Sequence, residues 1–135
     1  MFVVDNSVVM AWCFEDEATP YTEGVLDSLR TTQALVPAIW PLEAANVLLI
    51  AERRKRLSEA QSAHFAQLLE MLPIRVEDVD VVRSLGPVLA VGRAHQLSAY
   101  DAAYLELAAR QGLPLATADS RLRKAAEGAG VAILR

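Results

Sequence analysis

Asp5, Glu43, Asp101 and Asp119 stand where short apolar runs give way to helical patterns. Carboxylate oxygens gathered without cysteine or clustered histidine select hard cations, Mg²⁺ or Mn²⁺, over Zn²⁺. The chemistry open to such a group is hydrolysis of a phosphate ester by activated water, with cations stabilising charge on the phosphoryl and leaving oxygens. Cys13 is the only cysteine, so an internal disulfide and a cysteine-built zinc site are excluded. His64 and His95 fall on predicted helices away from the strand ends, which argues against metal-free cleavage by a histidine pair.

Each acid has an ordinary explanation as well. Asp5 ends the first predicted strand, where an exposed turn acid would look the same, but Asn6 and Ser7 follow, and a hydroxyl two residues on can orient a carboxylate. Glu43 is more informative. Between Val36 and Ala51 only Glu43 and Asn46 are strongly polar, and a carboxylate on a helix apolar all round costs several kcal/mol unless a cation or donor compensates it. A favourable helix dipole returns only about 0.3 to 1 kcal/mol. Asn46 lies one turn later on the same face. Asp101 fits a capping box with Ser98, yet shares a face with Leu105 and Ala108, beside Tyr104. Asp119 sits where a helix cap is expected. The common placement of all four past strand ends or in first helical turns suggests one rim, although four independent caps would land there too.

The elements that must position them read as follows. Phe2 to Val4 is a β-prone run, and Ser7 is the expected N-cap of a helix over Val8 to Phe14. Thr19-Pro20 opens a helix to Arg30, and Ala34 to Val36 is a strand. Helices are predicted from Pro41 to about Arg56, and from a Ser58/Gln61 capping box to Leu72. Ile74 to Val76 is a weaker strand. The next helix runs roughly from Val79 to His95, with Gly86-Pro87 bending it or marking its start. Ser98 to Gln111 is a helix ended by Gly112, Leu113 to Ala116 a strand, Ser120 to Glu127 a helix, and Val131 to Leu134 a last strand. Alternation of this kind predicts an α/β fold of three layers. A central parallel sheet of four to five short strands carries helices on both faces, with ligands bound beyond the carboxyl ends of the strands.

The 135 residues suit one domain spanning 1–135, and 53% hydrophobic with 22% charged residues argues against disorder. No uncharged apolar run approaches the roughly 18 residues of a membrane span, so a soluble, cytoplasmic protein without membrane attachment is expected. The net charge of −4 is a poor match for grip on nucleic acid by bulk electrostatics. Setting the four acids aside leaves the rest of the chain balanced, and two divalent cations would neutralise the cluster.

The ordered segments V-V-D-N-S-V-V-M-A-W, P-L-E-A-A-N-V-L, S-A-Y-D-A-A-Y-L-E-L-A-A-R and L-P-L-A-T-A-D-S-R-L resemble the PIN-domain nucleases, specifically VapC-type toxins of type II toxin–antitoxin systems, over nearly the whole chain. The resemblance implies a PIN-like fold and a Mg²⁺- or Mn²⁺-dependent ribonuclease leaving 5′-phosphate and 3′-hydroxyl ends. It places the acidic ligands at Asp5, Glu43, Asp101 and Asp119, supported by Ser7, Asn46 and Thr117. It further implies an RNA substrate, with tRNA one candidate, a homodimer, and a VapB-type antitoxin covering the acidic groove. Arg121, Leu122 and Arg123 stand where some members carry a further acid, which places a fully occupied second metal position in doubt. Arg121, Arg123 and Lys124 lie nearest the expected rim and are the first candidates for RNA contacts, ahead of the run Arg53 to Arg56 at a helix C-terminus.

Three rivals share the layering. A receiver-like, non-enzymatic phospho-acceptor regulator binding Mg²⁺ wants adjacent acids after the first strand and a late lysine, where Asn6 and Arg135 stand instead. A phosphatase with an aspartyl nucleophile wants a second Asp at Ser7. A catalytically silent PIN domain would bind RNA without cutting it.

Overall fold

The computed structural model describes residues 1–135. The strands are β1 (Phe2–Val4), β2 (Ala34–Val36), β3 (Ile74–Val76) and β4 (Leu115–Ala116). They form one parallel sheet in the order β3-β2-β1-β4. Every residue of β1 and β2 is buried, which requires cover on both faces, as in the predicted layering. β3, at the sheet edge, is partly exposed.

Seven helices surround the sheet: α1 (Asn6–Cys13), α2 (Pro20–Ser28), α3 (Trp40–Arg53), α4 (Glu59–Met71), α5 (Val81–His95), α6 (Ala99–Gln111) and α7 (Ser120–Gly128), with a 3₁₀ turn at Glu15–Glu17. From β1 the chain steps outward to β2 and β3, then returns through α5 and α6 to place β4 on the other side of β1. The strand order therefore reverses at β1, and the crevice beyond the carboxyl ends of β1 and β4 is the topological switch point, where open α/β sheets bind ligands. A continuous core of 27 buried residues includes Phe2, Val4, Leu35, Leu105, Leu107, Leu115 and Leu122.

Several local expectations are corrected. The N-cap of α1 is Asp5, not Ser7: the Asp5 carboxylate accepts from Val8 N, and the Ser7 hydroxyl donates to that carboxylate instead. Asp and Ser cap about equally well, and the Thr117 hydroxyl, which holds the other Asp5 oxygen, decides between them. The helix from Pro41 starts one residue earlier and stops at Arg53. Beyond it Lys55 adopts φ 60°, while Arg56 turns back onto Asp16, Glu17 and the Phe14 ring. Gly86-Pro87 does not start the helix, because Asp80 caps α5 six residues upstream of Gly86 and Pro87 lies inside it. Val131 to Leu134 contributes only a single bridge, Leu115 to Ile133, since β4 offers two ladder residues.

Arg110 in the last turn of α6 ties that helix to the sheet edge. Its guanidinium is bidentate to Glu77, just past β3, at 2.6 and 2.9 Å, and also reaches Glu106 at 2.8 and 3.2 Å. These hydrogen bonds to two carboxylates hold the guanidinium well above its ordinary pKa, and all three side chains are largely shielded. Arg110→Ala leaves two largely buried carboxylates without their shared cation and is expected to destabilise the protein by roughly 3 kcal/mol. The urea midpoint should fall accordingly, and an unchanged midpoint would show the clamp to be idle.

Candidate active site

The site grows from the end of β1. Asp5 follows Val4 and is 4% exposed. Its Oδ1 accepts from Ser7 Oγ at 2.6 Å and Val8 N at 3.2 Å, and its Oδ2 accepts from Thr117 Oγ1 at 2.6 Å. Both hydroxyls accept in turn: Ser7 Oγ from Ala118 N at 3.0 Å, and Thr117 Oγ1 from Asp119 N at 3.0 Å. The turn after β1 and the turn after β4 are therefore cross-linked through one carboxylate. Burial raises the Asp5 carboxyl to about 6, against the pull of the Ser7, Thr117 and Val8 hydrogen bonds, and the negative charge of Asp101 adds to the rise.

Asp101, in the first turn of α6, is the electrostatic centre of the group. Ser98 caps α6 by accepting from Asp101 N at 3.2 Å, but the Asp101 carboxylate makes no return bond, so only half of the expected capping box exists. Its carboxyl is raised by burial and by Asp119, with Arg121 opposing. Glu43, in the first turn of α3, is raised by burial and by Asp101, while its hydrogen bond from Tyr104 opposes the shift. Asp101 thus acts on, or is acted on by, each of the other three acids.

Tyr104 is the residue that sequence reading undervalued. It is 1% exposed, and its hydroxyl donates to Glu43 Oε1 at 2.6 Å. Burial first, then this carboxylate, drive its pKa far upward, so it stays a neutral donor. A tyrosine on an otherwise apolar helix face signals a buried hydroxyl in need of a partner, but nothing local names a partner 61 residues away.

Asp119 caps α7 through Oδ1, which accepts from Arg121 N at 2.8 Å and Leu122 N at 3.3 Å. The helix-cap explanation is therefore correct for one of its oxygens. Asn46 is exposed one turn beyond Glu43 and makes no side-chain hydrogen bond within the chain. Of the basic trio, Arg123 is committed to the Thr117 carbonyl at 3.1 Å and to the Tyr21 ring. Arg121 and Lys124 are exposed and line an open depression with Ser120 and Glu127.

As they stand, no three of the acids are spaced to enclose a cation. The donor set nevertheless fits a hard ion. Each carboxylate oxygen offers two acceptor positions. Unused capacity remains on Asp5 Oδ2, Glu43 Oε2 and Asp119 Oδ2, and on both oxygens of Asp101. Three of these carboxyls are already disfavoured as anions by burial and mutual charge, a cost that a shared cation relieves.

Comparison with known proteins agrees with the fold. The chain covers 98% of its length against PAE2754 from Pyrobaculum aerophilum, 81% of that chain, at 25% identity and a TM-score of 0.72. FitAcB from Neisseria gonorrhoeae is similar over 100% of this chain and 97% of its own, at 21% identity and 0.64. A toxin–antitoxin complex from Klebsiella pneumoniae is similar over 89% of this chain and 88% of its own, at 15% identity and 0.64. No curated protein matches the sequence. The family model described as PIN domain matches residues 2–128, and the chain belongs to the PIN domain family.

Proposed function

We propose that the protein is a Mg²⁺- or Mn²⁺-dependent ribonuclease of VapC type, acting as the toxin of a toxin–antitoxin pair, with residues 1–135 working as one nuclease domain. PIN domains are generally nucleases. The observation that carries the finer reading is the coupling of Asp5, Glu43 and Asp119 to Asp101 at the switch point of the sheet. Four unrelated helix caps would have no reason to lie within reach of one another's charge.

Asp5, Glu43, Asp101 and Asp119 would hold the cation through the free oxygens described above. When bound, the ion polarises a phosphoryl oxygen and eases deprotonation of the attacking water. The chain's own residues do the rest. Ser7 and Thr117 fix the Asp5 carboxylate from both sides, and Tyr104 fixes one oxygen of Glu43 so that the other is left to the site. Asp101, with no hydrogen bond to its carboxylate, keeps both oxygens for the cation or for a hydrogen bond from the attacking water. Arg121, beside Asp101, and Lys124 offer positive charge for RNA phosphates, with Arg123 bracing the turn they share.

Two partners belong to the same reading. The complex from Klebsiella pneumoniae is described as toxin with antitoxin, which supports an antitoxin of VapB type here. A homodimer is supported by the exposed apolar row Val81, Val82, Leu85 and Leu89 on α5. The receiver-like alternative loses ground, because β1 is followed by Asp5 alone, with Asn6 where a second adjacent acid is needed and Arg135 where a late lysine is needed.

The deciding experiment is RNA cleavage with Mg²⁺ or Mn²⁺ set against the same reaction in chelator. Asp5→Ala and Asp101→Asn should each lower turnover by about 10³-fold or more while circular dichroism shows the fold retained. Full turnover in either variant would remove that residue from the site. Tyr104→Phe should lower kcat roughly 10- to 100-fold, and an unchanged kcat would show that Glu43 needs no fixing. In chelator, stability should depend on pH in an unusual direction. The Asp5 carboxyl sits at about 6 in the folded chain against 3.8 in its ordinary state, so ionising it costs the fold about 3 kcal/mol above pH 6. That cost disappears as pH falls from 6 toward 3.8. The thermal midpoint should therefore rise between pH 7.5 and 5.5, and Asp5→Asn should flatten the profile. A midpoint that falls over this interval would contradict the burial cost assigned to Asp5.

A further inference from the structure

Beside the acids lies a depression that the cleavage chemistry leaves unused. It occupies about 340 Å³ between the first turns of α1, α3 and α6, and Asn6, Ile39, Leu42, Glu43, Asn46 and Tyr100 line it. Its walls come from the same turns that carry the acids: Asn6 follows Asp5, Tyr100 precedes Asp101, and Asn46 lies one turn past Glu43. Tyr100 is 57% exposed and Leu42 68%, a large apolar and aromatic surface with no protein cover. The Asn6 Oδ1 is shielded from solvent yet has no hydrogen-bond partner. A buried acceptor in that state is costly unless something donates to it.

The occupant has to be flat or apolar enough for Tyr100 and Leu42, must carry hydrogen-bonding edges for two amides, and must tolerate Glu43 at the mouth. A phosphate fails the last condition, because Glu43 repels it. A neutral nucleobase meets all three: its faces stack on aromatic rings, and its edge presents donors beside acceptors. The exposed Asn46 amide offers both donor and acceptor, and no hydrogen bond within the chain keeps the Asn6 amide from turning its shielded oxygen toward a donor.

We propose that this depression receives one unpaired, unstacked nucleobase beside the scissile phosphate, with Tyr100 as the stacking face and Asn6 and Asn46 contacting the base edge. The inference rests on the ribonuclease reading and concerns the nucleotide at this one position, whose base must be free of pairing, since a paired base has its edge and both faces engaged. Tyr100 and Asn6 would then set which strand and which nucleotide is presented.

The test is binding of a fluorescein-labelled single-stranded RNA to the full chain carrying Asp101→Asn, read by anisotropy. The same RNA is compared with its duplex and with a version whose nucleotides are abasic. Adding Tyr100→Ala should weaken binding of the single strand about tenfold, while Tyr100→Phe leaves it unchanged. The abasic strand should bind weakly and be indifferent to Tyr100→Ala. Equal affinity for abasic and normal strands, no effect of Tyr100→Ala, or no RNA binding at all would overturn the subsite and leave the surface to a peptide. Wild-type cleavage in Mg²⁺ or Mn²⁺ separates the two readings. RNA that binds in a base-dependent way but is never cut defeats the nuclease and keeps the subsite, whereas RNA cut regardless of its bases defeats only the subsite.

Discussion

The carboxylate of Asp5, closed off from water between the hydroxyls of Ser7 and Thr117, joins two parts of the chain 112 residues apart. It caps α1, receives the side chain that begins the turn after β4, and through Thr117 fixes the amide of Asp119. Burying an ion this deeply is unfavourable, and three charge-directed hydrogen bonds offset part of the cost. What remains is a carboxylate with a single open acceptor position and an elevated pKa, held where the strand order reverses. The placement of the other acids is defined relative to it.

α6 supplies the second fixed reference. Its first turn carries Asp101, the next turn carries Tyr104, and its last turn is locked to the sheet edge by Arg110. Leu105, Leu107 and Ala108 bury its remaining inner face. The helix is thus held at its far end by an ion-pair cluster and along its length by packing. At its acid-bearing end the Ser98 hydroxyl caps the Asp101 amide, and the Asp101 carboxylate itself is left without a side-chain bond.

Much of this arrangement is legible in the sequence. The strand and helix alternation follows from periodicity, and Glu43 is conspicuous because it is charged in a segment otherwise apolar from Val36 to Ala51. The order of β4 beside β1 and the pairing of Glu43 with Tyr104 are long-range choices that leave no local mark. Capping residues are ambiguous for a related reason: Asp5 and Ser7 are equally good caps in isolation, and only Thr117, brought in from the far end of the chain, decides between them. The basic run after α3 shows the same limit. Arg56 reads as a solvated cation, but in the folded chain it is engaged by Asp16, Glu17 and Phe14. The last strand shrank to one bridge because hydrophobicity reports burial, and Val131 and Ile133 are buried without needing a full ladder.

The shortness of β4 has a consequence for how this segment can vary in length. Val3 pairs with Leu115 and Val4 with Ala116, and Thr117 is the very next residue. Side chains alternate between the two faces of a pleated strand, so the face on which the Thr117 hydroxyl emerges is a question of parity. One extra residue between Pro114 and Thr117 would turn that hydroxyl away from Asp5 and separate the two corners of the sheet, whereas two would restore it to the same side. Even then the hydroxyl would sit about 6 to 7 Å farther along the strand, so this stretch is held to one length, while the loops on the outer edge, far from β1, carry no such arithmetic.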